Sequence, residues 1–193
     1  MMKSIGPYYT GHQPSPDPLE QYLRGIDAFE FEGIVQTAID PNKVSPDDFA
    51  LPAHNCMYQF WLDNKGEVDL PPSTAINPLS FKGAVGFVHL VEPNADFTDF
   101  KYRVYATSVA TLAGLDMAGK WFSESKIGNR SYYRRQLAAA AKMRLPIYSE
   151  NNASYDVSLI IKWCRLLLPL QGADGVVDRI LVAIVGVDRD DPV

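Results

Sequence analysis

The chain holds three histidines, His12, His54 and His89, and two cysteines, Cys56 and Cys164, which bound the metal, acid–base and nucleophilic chemistry open to it. His54-Asn55-Cys56 offers two metal ligands within one helical turn, and His89 and Cys164 offer two more. No CxxC, HExxH or second paired motif accompanies them, so the ligand spacing of a zinc site is missing. His12 lies among prolines and reads as solvated. His89 lies in an apolar run, where a histidine is either a hydrogen-bonded core residue or a polar group facing a ligand. The carboxylate pairs Asp47-Asp48, Glu30 with Glu32, and Asp188 with Asp190-Asp191 fall at turns or near chain ends, where solvated charge is the expected role. No Gly-rich phosphate loop and no GxSxG elbow is present. An α+β enzyme, which would have to work through His89, Arg103 or Tyr133, is therefore the least favoured class.

The elements that must position these residues belong to a chain of 193 residues, 47% hydrophobic and 21% charged, enough for one globular domain with an arm. The two cysteines give no disulfide framework, and no basic N-region with an apolar stretch follows Met1, so a reducing cytoplasm is expected. The longest apolar runs fall short of the ~20 residues of a spanning helix, and no membrane partner is expected. Net charge is −5, split as −9 over residues 1–100 and +4 over residues 101–193. That balance disfavours nucleic acid as a partner, though Arg130, Arg134, Arg135, Lys142 and Arg144 give the second half a basic face.

Eleven of the 14 prolines precede residue 94, so the first part of the chain is punctuated and the second continuous. Residues 1–52 read as an N-terminal helical or irregular extension. Ser45-Pro46-Asp47-Asp48 has the form of a capped helix start. A helix is expected over Ala53 to Asp63, with Met57, Phe60 and Trp61 at helical spacing and Asn64-Lys65-Gly66 as its stop. Phe87 to Val91 and Phe100 to Ala106 read as a hairpin. Thr107 or Ser108 then caps a short helix that closes at Gly114. The strongest helix is expected over Tyr132 to Arg144, opened by Asn129 or Ser131 and stopped by Leu145-Pro146. Pro146 to Glu150, Ser158 to Leu170 and Arg179 to Val187 read as strands, with a turn over Gly172 to Gly175.

On that element order, Lys101-Tyr102-Arg103-Val104-Tyr105-Ala106-Thr107-Ser108-Val109-Ala110-Thr111-Leu112-Ala113-Gly114-Leu115, followed by Gly119-Lys120, resembles a PAS domain. More closely, the chain from about His54 resembles a bacterial family of small stand-alone PAS-domain proteins. The matching pieces are the aromatic-Trp pair Phe60-Trp61, the strand Lys101-Tyr102-Arg103, and the ending Leu168-Pro169-Leu170, Gly175, Val177-Asp178-Arg179-Ile180-Leu181. The sequence departs from the family pattern at Ala106, where many members carry Gly.

The resemblance implies an α+β PAS fold over residues 53–190: a five-stranded antiparallel sheet with flanking helices around a small sensing cavity. It also implies dimerisation through the N-terminal helix, here Met57, Phe60 and Trp61, or through the sheet's outer face. Strand alternation puts Tyr102 and Val104 on one face and Lys101, Arg103 and Tyr105 on the other. The resemblance turns the first pair toward the cavity, joined by Val109, Leu112, Trp121, Phe122, Tyr133 and Leu137, and the position of His89 in an apolar strand makes it a candidate polar group of the same pocket. Where photoactive members have a flavin-linking Cys after Gly-Lys, this chain has Trp121-Phe122, so no covalent flavin site is expected. Haem-binding members place a His on the long helix, and Tyr132 to Arg144 has none; haem through His89, or non-covalent flavin, is disfavoured. The function implied is a non-enzymatic sensory or signalling module, binding a small apolar or amphipathic molecule or a protein partner and acting in trans. The competing class is a dimeric interaction adaptor whose core is filled by its own side chains.

Overall fold

In the computed structural model, which describes residues 7–24, 33–125, 130–153 and 160–188, six strands form one antiparallel sheet between two layers of helix and arm. Asn129 and Ser158, expected to open a helix and a strand, lie outside the described residues, as do Glu30, Glu32, Asp190 and Asp191. The strands are β1 (Ile34–Ala38), β2 (Val88–Pro93), β3 (Phe100–Val104), β4 (Ile147–Asn152), β5 (Ile160–Gln171) and β6 (Val177–Asp188). Their order across the sheet is β1-β4-β5-β6-β2-β3. The sheet therefore has six strands, not five. The sixth is β1, from the Pro-rich extension, which pairs along β4 from Ile34 opposite Asn151 to Ala38 opposite Ile147. β1 is short and polar at Gln36 and Thr37, so period-2 alternation gave it little signal; pairing with β4 decides its conformation.

β5 and β6 are the longest strands and the middle of the sheet, and they are buried over most of their length. Apolar side chains on both faces of a strand require cover on both sides. One cover is helix α2 (Pro52–Lys65), which begins on Pro52 and ends where Gly66 takes φ 52°, a left-handed value that suits glycine. α2 lies across β5 and β6: His54 Nε2 donates to Ala183 O at 3.2 Å, and Trp61 Nε1 donates to Pro169 O at 2.8 Å. Tyr9, from the arm, extends this cover by stacking 4.9 Å from Tyr148 and 5.1 Å from Phe49. The same side holds a buried carboxylate, Glu150, which accepts from Tyr148 Oη at 3.0 Å and from Lys162 Nζ at 2.7 Å. At the expected helix start, Ser45 opens a 3-10 turn over Pro46–Asp48, and its N–H and hydroxyl donate to Asp48 Oδ2 at 2.8 and 3.3 Å.

Met57, Phe60 and Trp61 are 0%, 4% and 0% exposed, so they belong to the core of this chain and offer no surface to a second copy. The expectation of a dimer through these three residues is corrected accordingly. An aromatic helical stripe reads the same whether it faces its own sheet or a partner, and here the long β5–β6 ribbon claims it.

The second layer covers the opposite face with helix α3 (Thr107–Ala113), a 3-10 turn at Phe122–Glu124 and helix α4 (Arg130–Met143). α3 ends at Gly114, φ 63°, as its sequence predicts. Its cap is Ala106 rather than Thr107 or Ser108, because the Ser108 hydroxyl is drawn off to donate to Gly86 O at 2.8 Å. At the far end of α4, Arg144 donates through Nη1 to Gly175 O and through Nη2 to Gln171 Oε1, both at 2.7 Å. That helix is thereby pinned to the tip of the β5–β6 hairpin. A short helix α1 (Glu20–Leu23) of the arm also lies beside α4, and Arg135 Nη1 donates to Arg24 O at 3.1 Å.

Candidate functional site

Cross-strand pairing fixes what the second layer covers. Ser149, Arg165 and Ile184 stand side by side on β4, β5 and β6, and Ile147, Leu167, Val182 and His89 form the adjacent row across β4, β5, β6 and β2. Gln36 of β1 pairs with Ser149, and Val91 of β2 pairs with Tyr102 of β3. Paired residues project to the same face, so Gln36, Ser149, Arg165, His89 and Tyr102 all point toward α3 and α4.

The register of β2 and β3 slips between Leu90 and Val91: Val91 pairs with Tyr102, while Leu90 pairs with Val104. Arg103 is the extra residue of a bulge. A bulge of one residue reverses the face of everything beyond it. Val104 consequently turns outward and is 49% exposed, and Tyr105, 8% exposed, turns inward. The expected alternation is overturned at these two positions: Val104 is no part of the inner face, and Tyr105 takes its place.

Three aromatic rings meet at that point. His89 lies 4.3 Å from Tyr105 and 5.4 Å from Tyr102, which are 5.1 Å apart edge to face. Phe122 stacks 6.0 Å from Tyr102. Val109 and Leu137 are buried in the same core, and Leu112 and Tyr133 are half-buried against it, whereas Trp121 is half-buried away from it, with Lys101 Nζ 5.8 Å over its ring. Of the residues expected here, Val104 and Trp121 are the two that do not join this core: Val104 turns outward at the bulge, and Trp121 pairs with Lys101, which alternates to the face opposite Tyr102.

His89 Nδ1 accepts the Ala106 N–H at 2.9 Å, which leaves the ring proton on Nε2. Burial, and then the positive charge of Arg165, hold its pKa down to about 3, so the ring is neutral near pH 7. An iron-ligating histidine needs a bare nitrogen toward the metal and a proton on the other, held by an acceptor. Here a backbone donor occupies Nδ1, and His89 does not fit haem. Among the described residues no group of three His, Cys, Asp or Glu is placed to hold a metal ion.

Arg165 stands in the middle of the covered face and was not singled out by motif. It is 6% exposed. Its guanidinium lies 3.9 Å from the centre of the Tyr133 ring, and its Nη2 donates to Asn151 Oδ1. Among the described residues its Nη1 is buried without a hydrogen-bond partner, and no carboxylate forms an ion pair with it. Around it, Tyr132 Oη donates to Gln36 Oε1 at 2.6 Å, and Gln136 Nε2 donates to the same oxygen at 2.9 Å. Gln136, at 1% exposed, is as buried as the apolar residues about it. The sequence signal was a single Arg within Trp163-Cys164-Arg165-Leu166-Leu167-Leu168, a charge where a central strand should carry none.

The site is thus a buried cation among tyrosines and amides on one half of a sheet face, and an aromatic and aliphatic group on the other. No helix among the described residues is long and apolar enough to cross a membrane. Compared with known proteins, the sequence matches the family model described as PAS domain over residues 50–185. No curated protein and no solved structure matches it. The matched span leaves out β1, which supplies Gln36 to the site. An antiparallel sheet with one face under α3, the 3-10 turn and α4 is the PAS arrangement, and with more than half of its length matched the chain belongs to the PAS domain family.

Proposed function

We propose that this PAS domain is a non-catalytic sensor that takes a small molecule against the Arg165 face and passes the change to a protein partner in trans. The observation that carries the reading is Arg165 Nη1, a buried charged donor with no acceptor among the described residues. Buried polar groups are hydrogen-bonded as a rule, and an orphaned charged one calls for a partner from outside the chain. Family membership supports a sensory or signalling role, and α4 suits the transmitting part. It carries Tyr133 against Arg165 at one end, is followed directly by Arg144 against the hairpin tip at the other, and touches the arm through Arg135. A ligand that moves the Arg165 guanidinium therefore moves a helix held at three points, which is a way to bias one pose over another.

The test is to unfold the purified protein in guanidinium, remove small molecules, refold it, and compare melting temperatures before and after. A ligand present at about 100 times its Kd contributes about 2.7 kcal/mol, so stripping should lower the melting temperature by about 5–10 °C. Equal melting temperatures would favour the other reading, an interaction module whose core is closed by its own side chains.

A further inference from the structure

We infer that the molecule bound at this site is a small monocarboxylate, its carboxylate held by Arg165 and its apolar body laid toward Tyr102, Tyr105 and Phe122. This rests on the sensor reading above and adds the ligand's chemical class. The argument is one of charge and shape. A guanidinium this deep has lost its hydration, and one aromatic face plus one amide oxygen replace only part of it. Among the described residues, Arg165 is the only cation in the group it forms with Gln36, Tyr132, Tyr133, Gln136, Ser149 and Asn151, the polar and aromatic side chains placed beside it. One positive charge is neutralised by one negative charge, which favours a monoanion over a phosphate dianion.

The donors suit the same choice. Arg165 Nη1 is free to donate, and the Ser149 hydroxyl, directly across from Arg165 on β4, is a second buried donor on that face. Charge-assisted bonds of this type are shorter and about twice as strong as neutral ones. The neighbouring half of the face is His89, Tyr102, Tyr105 and Phe122, with the imidazole uncharged. It accepts aromatic or aliphatic carbon and gives a second charge no counterpart. The ligand is therefore charged at one end and apolar at the other.

The experiment titrates the full chain, stripped and refolded, with phenylacetate, hexanoate, phenylacetamide, hexanamide and inorganic phosphate, read by melting temperature and calorimetry. At least one carboxylate should bind, with its amide counterpart about 100-fold weaker or more. Arg165→Met should weaken the carboxylate by a similar factor. Arg165→Lys, which keeps the charge and loses the planar fork, should weaken it about 10-fold and guards against a variant that fails to fold. Equal binding of acid and amide, binding of phosphate but of no carboxylate, unchanged binding by Arg165→Met, or binding of none of the five would overturn the inference. If the protein as purified releases a neutral compound, the carboxylate falls and the sensor stands. If it releases nothing and none of the five binds, both fall.

Discussion

Lowering the pH from 7 to 4 is expected to remove several kcal/mol of folding stability, and two histidines are the reason. His54 and His89 are held neutral in the fold, with pKa values lowered to about 4 and about 3, chiefly by burial. In the unfolded chain each titrates near 6.5. Below that value the unfolded state binds protons that the folded state refuses, so stability is full above about pH 6.5 and falls as the pH drops toward the folded values. Each histidine contributes up to about 1.4 kcal/mol per pH unit through that window. His54 is hemmed by Phe49 and Tyr148 and bonded to Ala183 O; His89 is hemmed by Tyr102 and Tyr105, with Arg165 near enough to repel a second charge. Denaturant melts at intervals of half a pH unit would show the slope. His89→Asn, which can still accept the Ala106 N–H, should lose about half of it. A flat stability between pH 6.5 and 4.5 would mean that one or both rings protonate in place.

Arg165→Met with Asn151→Leu is expected to make the ligand-free protein more stable by about 1–4 kcal/mol while ending any response to ligand. Replacing a buried ionic group by apolar side chains of similar volume is commonly neutral or favourable, since it removes a desolvation cost that the fold does not recover. The second substitution matters because Met alone would orphan Asn151 Oδ1, which now accepts from Arg165 Nη2. A binding site that is a weak point of the folded state is the usual trade between stability and function. Chemical denaturation of the stripped proteins measures it. A loss of 3 kcal/mol or more would show instead that Arg165 is fully paired within the fold, and the case for an external anion would go with it.

The order of elements was legible because local rules set it: Gly66 ends α2, Gly114 ends α3, and glycine at 172 and 175 turns β5 into β6. The inner face was legible in part. His89, Tyr102, Val109, Phe122 and Leu137 were placed by alternation, helical spacing and the family resemblance, and all are buried. Three features depend on contacts distant in sequence and left no local trace. The bulge that exchanges Val104 for Tyr105 is a property of pairing between β2 and β3, not of β3 alone. β1 is a strand because β4 has a free edge more than 100 residues later, and through it Gln36 reaches Tyr132 and Gln136. Trp61 and Phe60 looked available to a partner because the sequence cannot say which sheet face a helix will cover. Arg165 was different: its signal stood in plain view, a charge within an apolar strand that belongs to no motif.

The central claim is that a small molecule occupies the Arg165 face, and the most direct measurement is the mass of the purified protein under native and then denaturing conditions. The account predicts a native mass above that of the 21.5 kDa chain, lost on denaturation, with the released compound seen as a monoanion in negative mode. A native mass equal to the chain's own, or to whole multiples of it, with nothing released, would contradict it.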